Sequence, residues 1–175
     1  MQEKDLQWLQ EFKKNAAFGE FEKKPIAYFC AEYALLPGLP TYAGGLGVLA
    51  GDYVWEAARL GLPVFAIGLL YKKTQSGILD AEDMKFLKPV TDSDGREIVV
   101  SMPLASKNVN ARAWLWENGS VKLYLLDTDI PSNSPEDRKI TEELYVEDRD
   151  VRLKQEILLG ILGFRLLAKL GYHAS

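Results

Sequence analysis

The apolar positions change period along the chain, and each change marks an element. Leu6, Leu9, Phe12 and Ala16 recur at helical spacing and predict a short amphipathic helix over residues 4–16. After Pro25 comes a dense apolar run, AYFCAEY, within a strand predicted over 25–33. So continuous a run suits a parallel sheet covered on both faces. A turn-rich stretch with Pro37, Gly38 and Pro40 follows. From Leu46 the pattern is helical again: Leu46, Leu49, Ala50, Tyr53, Ala57 and Leu60 share a face, and Gly61 suits the position past a helix end. LPVFAIGLLY, residues 62–71, reads as a second buried strand. Strand, glycine turn, helix, glycine and strand make a βαβ unit.

Residues 86–127 change character. EIVVSMPL, VNARAWLWENG and VKLYLLDT are β-rich, and Asn118-Gly119 predicts a turn between the last two. The segment reads as an antiparallel or mixed insert whose last strand rejoins the main sheet. Ser134, Pro135 and Asp137 then match an N-cap, a first helical residue and an acid at N3. The acids and bases of 135–156 read as a solvated helix face. In the final helical pattern, Leu153, Ile157, Ile161, Phe164 and Ala168 trace one face and Leu158, Leu162 and Leu166 its neighbour. So wide an apolar surface predicts burial on more than one side. The fold class is therefore α/β: one Rossmann-like domain over 1–175, with a mostly parallel sheet, flanking helices and a β-rich insert at 86–127. Doubly wound sheets usually continue with another strand where GYHAS ends the chain, so a larger fold is expected.

Composition excludes several functions. Apolar residues are 47% and charged ones 26% of 175, as in globular proteins. The net charge is −4 and the basic residues are scattered, which argues against a nucleic-acid partner. The single cysteine, Cys30, allows no internal disulfide, so a reducing, cytoplasmic compartment is expected. Cys30 alternates with Tyr28 and Glu32 and reads as a packed thiol. The charged N-terminus has no secretory h-region, and no apolar run approaches the roughly 18 residues of a membrane span. His173, the lone histidine, has no second ligand beside it, so no metal site is expected. Asn118-Gly119-Ser120 matches the glycosylation triplet, but the hairpin turn accounts for it.

The chemistry centres on TYAGGLGVLAGD, residues 41–52, which sets three glycines within four positions at the start of a helix. Glycine there costs backbone entropy. One reading is a tight turn that needs glycine only for packing. The other is an anion site, because unpaired N–H groups and the helix dipole favour negative charge. No Gly-Lys-Ser/Thr follows, which excludes a P-loop. Gly45-Leu46-Gly47-Val48-Leu49-Ala50 fits a dinucleotide pattern. However, the glycines stand well apart from strand 25–33, and Tyr71-Lys72-Lys73 occupies the place about 20 residues on where a ribose-binding acid belongs.

At these residues the chain resembles the N-terminal part of the α-glucan (glycogen or maltodextrin) phosphorylases, especially their shorter prokaryotic branch. YFCAEYALLPGLPTYAGGLGVLAGDYVWEAARLGLPVFAIGLLY carries the most specific match. LYLLDTDIPSNSPEDRKITEELY and RLKQEILLGILGFRLLAKLG extend it, so the likeness runs from about residue 25 to the end. Glycogen and starch synthases carry a similar Gly-Gly-Leu-Gly turn but lack the later blocks.

The resemblance implies the N-terminal part of a GT-B glycosyltransferase, with two Rossmann-like domains facing across a cleft. It implies phosphorolysis of α-1,4-glucan ends by inorganic phosphate, releasing glucose 1-phosphate with retention. Pyridoxal phosphate is implied as a Schiff base on a C-terminal-domain lysine that no lysine here can match, so none is expected on this chain alone. Gly45 and Leu46 would present N–H groups to the phosphate and glucosyl unit, Gly44 and Gly47 would allow the approach, and Glu32 would line the cleft. Glu147, Asp148 and Arg152 fall in or beside the family's gate loop, here the short acidic VEDRD. KKTQSGILDAEDM replaces the usual aromatic pair after GLLY. Trp114 and Trp116 share a strand face that sugar could stack on. The implied partners are α-glucan, phosphate, the C-terminal domain and a second copy in a homodimer. A synthase-like nucleotide-sugar glucosyltransferase and a non-catalytic glucan-binding module are the alternatives.

Overall fold

Two short helices lead into the sheet, where the periodicity predicted one. In the computed structural model, which describes residues 3–35, 39–119 and 121–172, α1 spans Glu3–Lys13 and α2 spans Ala16–Lys23. The break falls at Asn15, whose side chain caps α2 by accepting from the Ala17 N–H at 2.9 Å. Strand β1 is short, Ile26–Phe29, not 25–33. Cys30 donates one more ladder bond to Ile67, and then the chain turns away as the Tyr33 hydroxyl reaches back to the Tyr28 and Ile67 carbonyls.

Helix α3, Gly45–Leu60, ends at Gly61, whose φ of +60° lets its N–H close on the carbonyls of Ala57 and Ala58. Strand β2, Val64–Leu69, runs parallel to β1 in register Ile26↔Val64 and is buried along its whole length. Phe65, Ile67 and Leu69 belong to one apolar layer and Val64 and Ala66 to the other, which is why the strand reads as an unbroken apolar run. A small ladder follows: β3, Lys73–Thr74, with β4, Gly77–Ile78.

The β-rich segment holds β5 (Lys88–Pro89), β6 (Val99–Leu104), β7 (Lys107–Asn118) and β8 (Val121–Asp127). The sheet order is β1-β2-β8-β7-β5, with β6 pairing farther along the long β7. Strand β8 returns beside β2 and parallel to it, while β7 is antiparallel to β8. Asn118 pairs with Val121 around Gly119, at φ +57°. Ser120 lies outside the described residues, as do His173 and the 36–38 part of the Pro37–Gly38 stretch.

Ser134 caps α4, Pro135–Arg138, as its sequence predicts, but the helix is a single turn. Asp137 is buried against Lys107 at 2.6 Å and Ser134 at 2.8 Å, so residues 135–156 are not one solvated helical face. The last helical run is α5 (Arg149–Ile157), a π-helical turn (Leu158–Leu162) and α6 (Gly163–Lys169). Leu158, Leu162 and Leu166 pack on Ile67 and the sheet. A Cβ on Gly163 would come within 2.7 Å of Ile67 and Phe29. The other predicted apolar stripe is not buried: Leu153, Ile161 and Phe164 are exposed, Phe164 by 60%. One sheet face covers one stripe, and no second layer among the described residues covers the other. Likewise α3 turns its small side, Gly47, Ala50, Gly51, Val54 and Ala57, to the core and leaves Leu46, Leu49 and Tyr53 exposed.

Charges lock the loops after the parallel strands together. Asp129, after β8, bonds Lys72, after β2, and Arg138 of α4. The Lys72 hydrogen bond, helped by Arg138 and opposed by partial burial, holds the Asp129 carboxyl below its usual range. A carboxyl depressed in the folded state stabilises above its unfolded pKa of about 3.9 and loses that contribution as pH falls through the lower folded value. Asp129→Asn is therefore expected to lower the thermal midpoint at pH 7 and to converge with wild type as pH drops below about 3.9. Parallel thermal melts from pH 7 to 2.5 check this.

Candidate functional site

The glycine turn begins a 16-residue helix at the carboxyl end of β1, where open α/β sheets gather ligands. Its glycines divide into two kinds. A Cβ on Gly47 would stand 2.5 Å from Tyr42 Cβ and 3.0 Å from Glu32 Oε2, and one on Gly51 only 2.1 Å from the Ala34 carbonyl oxygen. Packing demands these two. Gly44 and Gly45 are exposed, and a Cβ on either would meet nothing within 4 Å. No internal contact requires glycine there, and the backbone at these positions is bare and open.

Glu32 organises the turn from its buried side. It lies past the end of β1 rather than within it, and is only 2% exposed. Its Oε2 accepts from the Ala43 N–H at 2.6 Å and the Gly44 N–H at 3.1 Å, while Oε1 accepts from the Tyr145 hydroxyl at 2.8 Å. The Gly44 amide is thus used inside the protein. The next two, on Gly45 and Leu46, face the surface with no acceptor among the described residues. They are the first donors of the helix, where its dipole is most positive.

Tyr145 was not singled out by the sequence. Its φ of +59° places an aromatic residue in the left-handed region, which nothing in EELYVED announces. Neighbours hold it there: Leu144 donates to the Lys73 carbonyl at 3.1 Å, and the buried Gln155 amide donates to the Ile140 and Glu143 carbonyls at 2.7 and 2.9 Å. Burial, then the hydrogen bond to Glu32, pushes the Tyr145 phenol up to about 12, so it remains a proton donor at neutral pH. Arg152 places its guanidinium carbon 5.9 Å from the Tyr145 ring centre. Tyr145, Arg152, Ala31 and the buried Tyr71 line a small cavity of about 50 Å³ beside the carboxyl ends of the strands.

The remaining predicted residues are placed as follows. Asp148 Oδ1 caps α5 by accepting from Asp150 and Val151 N–H groups, so that oxygen is already used; Glu147 is exposed. Trp116 is buried edge-on to Trp55, and the Trp114 indole donates to Asp127 beneath the Arg112 guanidinium, so both aromatics serve the interior. Cys30 is buried, and burial raises its thiol pKa. Among the described residues no cluster of three or more histidine, cysteine or acidic side chains could hold a metal, and no helix is long and apolar enough to cross a membrane.

This architecture is one Rossmann-like α/β unit of the kind from which the GT-B fold is built. It superposes on the catalytic domain of Arabidopsis thaliana starch synthase IV, solved with ADP and acarbose, with a TM-score of 0.60 at 16% identity, covering 86% of this chain and 26% of that one. By sequence the chain is homologous to the N-terminal portion of the α-glucan phosphorylases. It is 45% identical to maltodextrin phosphorylase of Thermococcus litoralis over 162 residues and 38% identical to glycogen phosphorylase of Mycobacterium tuberculosis over 175. Those matches cover 85% and 91% of this chain but 20% of each relative, so the chain spans about one fifth of their length. No protein-family model matches it.

Proposed function

We propose that the chain forms the N-terminal part of an α-1,4-glucan phosphorylase, and that its glycine turn grips the oxygens between phosphate and the terminal glucosyl unit. The observation that carries this is the pair of unpaired Gly45 and Leu46 amides under open space at a helix N-terminus, in a chain homologous to phosphorylases. Two fixed donors aimed at developing negative charge stabilise a transition state without reorganising. Gly44 and Gly47 keep the backbone accessible and close to Glu32, while Glu147 and Arg152 stand on the gate side.

Pyridoxal phosphate enters this reading through the homology alone. The lysines of known exposure, from Lys13 onward, are all at least partly exposed, and none lines the cavity beside Tyr145. The chain therefore does not fit the Schiff-base role, and the reading assigns that lysine to the rest of the protein, together with most of the cationic groups for phosphate. The chain alone is accordingly proposed to be inactive, and the active protein to be cytoplasmic and to pair as a homodimer.

The test is release of glucose 1-phosphate from maltodextrin and inorganic phosphate by the intact protein. Gly45→Val is expected to fold normally, since its side chain meets open space, and to lose activity about a hundredfold or more. Turnover of ADP-glucose or UDP-glucose in place of phosphorolysis would overturn the reading in favour of a synthase. Glucan binding with neither reaction would favour a non-catalytic module.

A further inference from the structure

We propose that Tyr145 is a positioning residue: its hydroxyl clamps Glu32 so that Glu32 aligns the glycine turn, linking the 145–148 segment to the oxyanion grip. Glu32 is a buried carboxylate with three donors and two oxygens. With Oε1 held by Tyr145, the plane of the carboxylate is fixed and Oε2 can take both the Ala43 and Gly44 amides. Those bonds set the peptide planes just ahead of Gly45 and Leu46, and so the direction of the two free N–H groups. Without the hydroxyl, the carboxylate can rotate about its last torsion, which is broad and roughly two-fold.

The left-handed backbone of Tyr145 supports this assignment. An aromatic residue in that region costs on the order of 1–3 kcal/mol and persists only where its surroundings over-determine it. Here the Leu144 N–H bond to the Lys73 carbonyl and the buried Gln155 amide's bonds to the Ile140 and Glu143 carbonyls fix the chain before it, and the only hydrogen bond of the Tyr145 side chain among the described residues is to Glu32. The strained turn therefore aims the hydroxyl at Glu32. The residues after it, Val146 to Asp148, lead straight into the α5 cap. A rearrangement of this segment that withdraws the tyrosine would release the glycine turn in the same motion.

Hydrogen exchange on the intact protein tests the clamp apart from catalysis. Tyr145→Phe keeps the ring and its packing against Arg152 and removes only the hydroxyl. Exchange within residues 42–46 is expected to rise about tenfold, the effect of weakening hydrogen bonds to a charged group, with β2 and the α3 interior unchanged. The kinetic consequence, which rests on the phosphorylase reading, is a several-fold higher KM for inorganic phosphate with KM for maltodextrin unchanged. Unaltered exchange at 42–46, or equal acceleration in every segment, would overturn the clamp. Altered exchange at 42–46 in a protein that performs no phosphorolysis would keep the clamp and sink the catalytic reading.

Discussion

Replacing Gly51 by alanine is expected to destabilise the protein by about 3 kcal/mol, although the same change in a helix interior normally gains about 1 kcal/mol in propensity. The reason is contact geometry. The added methyl carbon would sit 2.1 Å from the Ala34 carbonyl oxygen and 2.8 Å from its carbon, both backbone atoms that cannot swing aside. Helix α3 must retreat from the 31–35 segment. That retreat breaks the 2.9 Å bond from Ala34 N–H to the Gly47 carbonyl and loosens Ala50 and Val54, both fully buried. Overpacking of this kind costs about 1–3 kcal/mol and a lost hydrogen bond about 1 more, so the clash outweighs the propensity gain. A thermal midpoint lowered by about 10 °C is the expected reading. Gly160→Ala, whose methyl meets nothing within 4 Å, is the control and should leave the midpoint unchanged or slightly raised.

The second large effect is at Glu32. Removing its carboxylate in Glu32→Ala leaves the Ala43 and Gly44 amides and the Tyr145 hydroxyl without their acceptor and opens a void against Gly47. Buried hydrogen bonds to a charged group contribute about 1.5–3 kcal/mol each. Gly44 is exposed and Tyr145 is 43% exposed, so water recovers part of the loss. A net destabilisation of about 2–3 kcal/mol is expected. Glu32→Gln keeps the volume and one oxygen, and its amide can donate to the Tyr145 oxygen, so it should lose less than half as much. Urea melts of the three proteins check the order wild type, Gln, Ala. Equal stability of the Gln and Ala variants would mean that volume, and not hydrogen bonding, is what Glu32 contributes.

Both predictions concern residues whose importance was only partly visible in the linear pattern. Glu32 stands out there as an acid after an apolar run, and the glycines as an unexpected helix start. The pattern does not reveal that Glu32 takes the Gly44 amide, or that the exposed amides left over are those of Gly45 and Leu46. It gives no sign of Tyr145 either, because a hydrogen bond across 113 residues and a positive φ on a tyrosine leave no local signature. Which apolar face is covered is hidden for the same reason. Periodicity identifies which residues share a side of a helix but not which side meets the sheet. Hence Leu46, Leu49 and Tyr53, and Leu153, Ile161 and Phe164, lie outside. The face of α3 that packs is the one with side chains small enough for close approach.

The sequence by itself determined what local sterics and hydrogen bonding determine: the βαβ unit, the left-handed stop at Gly61, the Ser134 cap, and a helix that begins on bare glycine backbone. Blocks of residues in a characteristic order also carried the kinship to α-glucan phosphorylases. Tertiary structure decided how elements far apart in the chain share their donors and acceptors. It brought β8 back beside β2, shortened β1, buried Trp116 against Trp55, and joined residues 32, 43–44 and 145 through one carboxylate. Those outcomes depend on distances between segments, which packing sets once the sheet has formed and residue order does not encode locally.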